Sequence, residues 1–266
     1  MLRFAANISW LFQEWDFGDR FTAAADAGFS AVECLFPYDH DPDVIARHLA
    51  RHGLTMALIN LPPGDLAAGE KGLAALPGRQ GDFSAALDEA LRHAGAYDVR
   101  RLHVMAGIGH GAAAVAAYRD GLALACDRAG ARGITITIEP LNGHDAPGYL
   151  LNDFAMAEQI ITAMARPNLK LQFDIYHRRI LNGEVLNGLK TLMPVTGHIQ
   201  IASVPGRHEP GGDDMAVLGA IARLGYDGFI GCEYRPRAGT REGLGWLADA
   251  YALTGSSGST LSSMNR

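Results

Sequence analysis

The chain has 266 residues, 48% hydrophobic and 20% charged, which supplies a sizeable core within one soluble-type domain. Its formal net charge of −6 argues against a general nucleic-acid binder, which carries a basic excess. Three cysteines without a CxxC pair (Cys34, Cys126, Cys232) support neither a disulfide framework nor a zinc knuckle, and the expected compartment is a reducing cytoplasm.

In chain order, MLRFAANISWLF has neither a signal-type apolar region with a small-residue cleavage site nor a long apolar run, so neither export nor membrane insertion is expected. Strand-like runs begin with RFAANIS, FSAVECLF, LTMALINL and RLHVMAG. They continue with ITITIEPL (134–141), LKLQFDIYH (169–177), GHIQIAS (197–203) and GFIGCEY (228–234). Helical spacing fills the gaps at 17–28, 42–53, 81–97, 112–131, 152–165, 184–193, 213–224 and 239–252. In DPDVIARHLARHG, Asp41 suits a cap, Pro42 the first turn and Gly53 the stop, with Val44, Ile45 and Leu49 on one side. Eight strand–helix units predict an α/β fold of the (β/α)8 TIM-barrel type; periodicity alone leaves a doubly wound open sheet as the alternative. The barrel is expected over residues 1–254, and the polar, low-complexity 255–266 reads as a disordered tail. The Gly- and Pro-rich connection 62–82 is longer than a usual βα turn and reads as an active-site lid or a surface excursion; its glycines form no nucleotide-phosphate signature.

Glu139, Asp174, Gln200 and Glu233 each sit at or just before the carboxyl end of an apolar run. The side-chain period of two puts them on one face with Thr137, Gln172, His198 and Gly231, and puts Ile138, Phe173, Ile199 and Cys232 on the other. Three carboxylates in one enclosed space repel each other and resist ionisation unless a cation compensates them. All-oxygen donors favour a hard divalent ion, Mg²⁺ or Mn²⁺, over structural Zn²⁺. The plainer alternative is four separate strand-end polar groups, each satisfied by backbone or water.

At ITIEPLN, FDIYH, GHIQIA, RHEP and GCEYRP the sequence resembles the hydroxypyruvate isomerase family of xylose-isomerase-like barrels. RFAANISWLF, the 62–82 loop and the closing GLGWL extend the resemblance over nearly the whole chain, and LHVMAG, QIASVPGRHEP and CEYRPR look especially like its 2-oxo-tetronate isomerase branch. The resemblance implies Glu139 and Glu233 as the proton-transferring pair, and Glu139, Asp174, Gln200 and Glu233 as metal ligands. It implies substrate contacts from His177, Arg207 and Glu209. An arginine suits an anionic substrate because its planar fork binds a carboxylate in two places.

The implied reaction is isomerisation of a small anionic 2-oxo acid, hydroxypyruvate to tartronate semialdehyde or 2-oxo-tetronate to its 3-oxo isomer, with the metal supporting an enediolate. The competing readings are a sugar epimerase or dehydratase on the same barrel, an apurinic-endonuclease type with a His-rich multi-zinc site, and a noncatalytic small-acid-binding barrel. Apolar helix faces permit a homo-oligomer.

Overall fold

The structure, a computed structural model, describes residues 1–253. The proposed tail lies outside them.

Eight strands form a closed parallel barrel in sequence order: β1 (Arg3–Asn7), β2 (Ala31–Cys34), β3 (Thr55–Asn60), β4 (Arg101–His103), β5 (Thr135–Ile138), β6 (Leu169–Asp174), β7 (Thr196–Ile201) and β8 (Phe229–Cys232). The ring closes through β1 on β8, where Ala5 pairs with Gly231. The open-sheet alternative is thereby removed.

The helices are α1 (Phe17–Asp26), α2 (Pro42–His52), α3 (Gln80–Tyr97), α4 (Gly111–Gly130), α5 (Phe154–Met164), α6 (Ile175–Asn182), α7 (Leu186–Leu192), α8 (Asp213–Arg223) and α9 (Trp246–Ala252). Ile138, Phe173, Ile199 and Cys232 join the large apolar cluster formed with these helices, as the two-residue period requires. A second apolar cluster of Ala5, Ala31, Ala57 and Phe229 comes from strand positions toward the amino ends. Polar residues of the inward face lie nearer the carboxyl ends of the strands.

α2 starts and stops where expected: Asp41 accepts from the Asp43 amide at 2.8 Å, and Gly53 takes the left-handed φ of 62°. Ile45 and Leu49 are buried, but Val44 is 37% exposed, because a neighbour one residue away points about 100° around the helix. The run LKLQFDIYH ends as strand at Asp174, and Ile175 already begins α6. The switch has a local cause, since Asp174 Oδ1 accepts from the Tyr176 amide at 2.7 Å and caps the helix. The predicted 239–252 helix is a 3-10 turn over Arg241–Gly245 followed by α9.

The β3–α3 connection is anchored to the barrel rim. Gly72 NH donates to Pro63 O at 2.8 Å and Ala75 NH to Ala106 O at 2.7 Å. Gly72 has φ 114°, and a Cβ there would meet Met105 O at 2.3 Å, so only glycine allows this approach. Leu73, Ala74 and Ala75 are buried, which fixes this stretch as wall beside the cavity described next.

Candidate active site

A cavity of about 310 Å³ opens at the carboxyl ends of the strands, near the lower limit of small-molecule pockets at roughly 300 Å³. Its lining includes Glu139, Glu233, His103, His177, Arg207 and Lys71. Glu139 and Glu233 follow the last residues of β5 and β8, while Asp174 ends β6 and Gln200 lies within β7, paired with Asp174 and Gly231. All four are buried.

Glu139 Oε2 accepts from Gln172 Nε2 at 3.0 Å, while Oε1 is buried with no hydrogen-bond partner. Burial, and then the charges of Asp174 and Glu233, push the Glu139 carboxyl well above the usual carboxylate range. Burial raises Glu233 as well; Arg207 opposes that shift and Asp174 adds to it. The neutral form of each carboxyl is favoured far more than in water.

Arg207 binds this group together. Its Nη2 donates to Glu233 Oε1 at 2.6 Å and Asp174 Oδ2 at 3.1 Å, and its guanidinium carbon lies 4.9 Å from the Trp10 ring centre and 4.8 Å from that of Tyr176. Arg207 itself has a left-handed φ of 53°, and its carbonyl accepts from the Arg235 amide at 2.7 Å. Glu209 does not line the cavity: its Oε1 accepts from the Arg237 amide at 2.8 Å, bracing the segment after β8.

His177 lies one helical turn past Asp174, so the two share a face of α6. Its Nδ1 accepts from the Asn142 amide at 3.1 Å and faces Asn142 Nδ2 at 2.8 Å. Burial lowers its pKa to about 4, so the ring is neutral and its proton sits on Nε2. That nitrogen is 3.9 Å from Glu139 Oε1 and 3.8 Å from Asp174 Oδ2. In this tautomer His177 is a hydrogen-bond donor to the cavity.

Glu139, Asp174 and His177 offer donor atoms all within 4.8 Å of one another. The orphaned Glu139 Oε1 beside Asp174 fits a divalent cation, and the carboxylate chemistry fits a hard one. With its proton on Nε2, His177 has no lone pair to give. Gln200 turns its amide nitrogen to Glu233 Oε2 at 2.7 Å and Glu33 Oε2 at 2.9 Å, while its Oε1 accepts from Gln172 at 2.7 Å.

Beneath these groups lies a polar layer that sequence reading passed over. Glu33, fully buried, contacts His198 Nε2 in a very short pair and accepts from Gln200. Asn7 Nδ2 donates to Glu233 Oε2 at 3.1 Å. His103 Nδ1 meets Asn60 Oδ1 at 3.2 Å, and burial lowers its pKa to about 3, leaving a neutral ring whose Nε2 is buried without a partner. The strand-end rule that found Glu139 also selects Asn7, Glu33, Asn60 and His103.

Gly231 leaves the room that Glu33 occupies, since a Cβ would lie 2.3 Å from both carboxylate oxygens. Gly231→Ala is expected to cost about 1–3 kcal/mol, lowering the melting temperature by thermal denaturation, and to slow turnover by displacing Glu33 from Gln200. An unchanged melting temperature would show that Glu33 has another place to go.

The family described as xylose isomerase-like TIM barrel matches residues 21–250, and the chain belongs to it. The chain is 50% identical over 254 residues to a protein of Cupriavidus necator named 2-oxo-tetronate isomerase, covering 93% of this chain and 98% of that one. It is 38% identical over 258 residues to the hydroxypyruvate isomerase of Escherichia coli, covering 94% and 100%. A crystal structure named AP endonuclease, family 2, from Brucella melitensis superposes with a TM-score of 0.91 at 44% identity, over 94% of this chain and 99% of that one. Within the barrel family the chain is a member of the hydroxypyruvate isomerase group.

Proposed function

We propose that the protein is an isomerase of small hydroxylated 2-oxo acids, converting hydroxypyruvate to tartronate semialdehyde, 2-oxo-tetronate to 3-oxo-tetronate, or both. The observation that carries this reading is the pair Glu139 and Glu233, two buried carboxyls that follow β5 and β8 and line one cavity. Membership of the hydroxypyruvate isomerase group supplies the substrate class.

Two carboxyls that face one small substrate can take a proton from one carbon and return it to its neighbour. One glutamate takes the proton from the hydroxyl-bearing carbon, and the same residue or its partner returns a proton to the former carbonyl carbon. The substrate hydroxyl loses its proton as its oxygen becomes the new carbonyl, and the old carbonyl oxygen gains one. His177 offers Nε2–H to a substrate oxygen, and His103 Nε2 is an acceptor for a substrate hydroxyl. Arg207 compensates Asp174 and Glu233 so that their charges coexist under burial.

Glu139, Asp174 and Glu233 would hold a divalent metal, with the Gln200 amide oxygen as the fourth donor the family resemblance implies, and Mg²⁺ or Mn²⁺ suits the oxygen donors. When bound, it supplies Lewis-acid polarisation of the substrate carbonyl. Glu209 acts from behind Arg207, through the segment that also carries Arg235. Within the described residues no helix is long and apolar enough to cross a membrane.

The test is proton NMR of the metal-loaded protein with each acid. Exchange of oxo and hydroxyl positions supports isomerisation; inversion at a carbon or loss of water would place the protein with epimerases or dehydratases on the same scaffold. The endonuclease name of the similar Brucella melitensis structure raises DNA cleavage as a second reading. The formal charge of −6 opposes it, as does the carboxylate character of the candidate ligand group among the described residues. Cleavage of a duplex carrying an abasic site would restore it.

A further inference from the structure

We infer that Lys71, on the β3–α3 connection, is the anchor for the substrate carboxylate and sets the preference for acids over neutral hydroxyketones. The inference rests on the proposed isomerase reading and deepens it. A 2-oxo acid brings a negative charge into a cavity lined by carboxyls whose compensation is already committed to Arg207 and to the proposed metal, so a further cation with free donors is suited to receive it.

Arg207 is already engaged on every side. Its Nη2 is shared between Asp174 and Glu233, its Nε donates to Glu233 O at 3.3 Å, Nη1 is 3.9 Å from Asp145 Oδ2, and its faces lie against Trp10 and Tyr176.

Lys71 is the other cation lining the cavity. Among the described residues its hydrogen bond is to the Asp145 main-chain oxygen at 2.8 Å, which uses one of three ammonium protons and leaves its charge uncompensated by contact. The nearby carboxylates are committed elsewhere: Glu70 accepts from Arg79 at 2.8 Å and from the Asp65 amide at 2.7 Å, and Asp145 accepts from Asn142 at 3.0 Å. The ammonium lies close enough to His177 for its charge to be felt at that ring.

Its placement is prepared by the fold. Gly72, the next residue, is pressed against Met105 O and bonded to Pro63, which fixes the backbone from which the half-buried Lys71 extends. Lys71 lines the same cavity as Glu139 and Glu233, so a carboxylate held there belongs to a molecule inside the space the two glutamates share.

The test uses glycerate and glycerol, which differ in carboxylate against hydroxymethyl and need no turnover, with calorimetric titration of the metal-loaded full chain. Wild type is expected to prefer glycerate. Lys71→Met should weaken glycerate binding roughly 10- to 100-fold, the worth of a charge-assisted hydrogen bond, without changing glycerol binding or the melting temperature. Lys71→Arg should restore most of the preference. In steady-state assays Lys71→Met should raise the hydroxypyruvate KM by a similar factor with little change in kcat. Glycerate binding unchanged in Lys71→Met overturns the assignment. So does a wild type without preference for glycerate, or a preference erased by Arg207→Lys and kept in Lys71→Met. Because binding is read without catalysis, an inactive wild type that still shows the Lys71 effect would overturn the isomerase reading alone.

Discussion

Glu139→Gln and Glu233→Gln are each expected to lower kcat by about a thousandfold or more, within the range general acid–base groups contribute, while the protein stays folded. The amide keeps the shape of the carboxyl and cannot carry the proton. Stability should hold or rise in Glu139→Gln, because burial and two neighbouring carboxylates already disfavour the charged form of Glu139. Glu233→Gln differs, since it removes a partner from Arg207 at 2.6 Å and leaves that guanidinium less compensated. Its melting temperature should therefore fall below that of Glu139→Gln. Steady-state kinetics and thermal melts on the pair check both statements. Equal, near wild-type kcat in the two variants would end the proton-transfer proposal.

Chelation is expected to abolish turnover, and Mg²⁺ or Mn²⁺ to restore it. Independently of activity, a saturating ion at a hundred times its dissociation constant should stabilise the wild type by about 2.7 kcal/mol, or roughly 5–11 °C in melting temperature for a chain of this size. Asp174→Asn should remove most of that shift, because Asp174 is a member of the buried acidic group and its Oδ2 faces the other charges. Its Oδ1 work as the cap of α6 survives in Asn, itself a good cap residue, so loss of the metal-dependent shift would not reflect loss of the helix. A full shift in Asp174→Asn would move the ion elsewhere.

Much of the barrel was legible because its strands are buried on both faces and its helices carry regular apolar stripes. Glu139, Asp174, Gln200 and Glu233 were legible because the two-residue period and the strand ends agree. Helix α6 was not: IYH continues an apolar run without a turn residue, and the switch depends on Asp174 using one oxygen as a cap. Glu33 escaped because AVEC reads as an ordinary core strand, and its pairing with His198, a residue already placed on the inward face, joins positions 165 residues apart. Lys71 looks like any loop lysine until the anchoring of Gly72 places it in the cavity wall. Glu209 matched a family position; in the fold it pairs with Arg237 and is not among the residues lining the cavity.

The most direct test of the central claim is proton NMR of hydroxypyruvate and, in parallel, 2-oxo-tetronate in D2O with metal-loaded wild type, Glu139→Gln and Glu233→Gln side by side. The account predicts that the wild type isomerises at least one of the two acids while neither variant does so above about a thousandth of its rate. Rapid conversion by either variant would contradict the assigned proton-transfer pair.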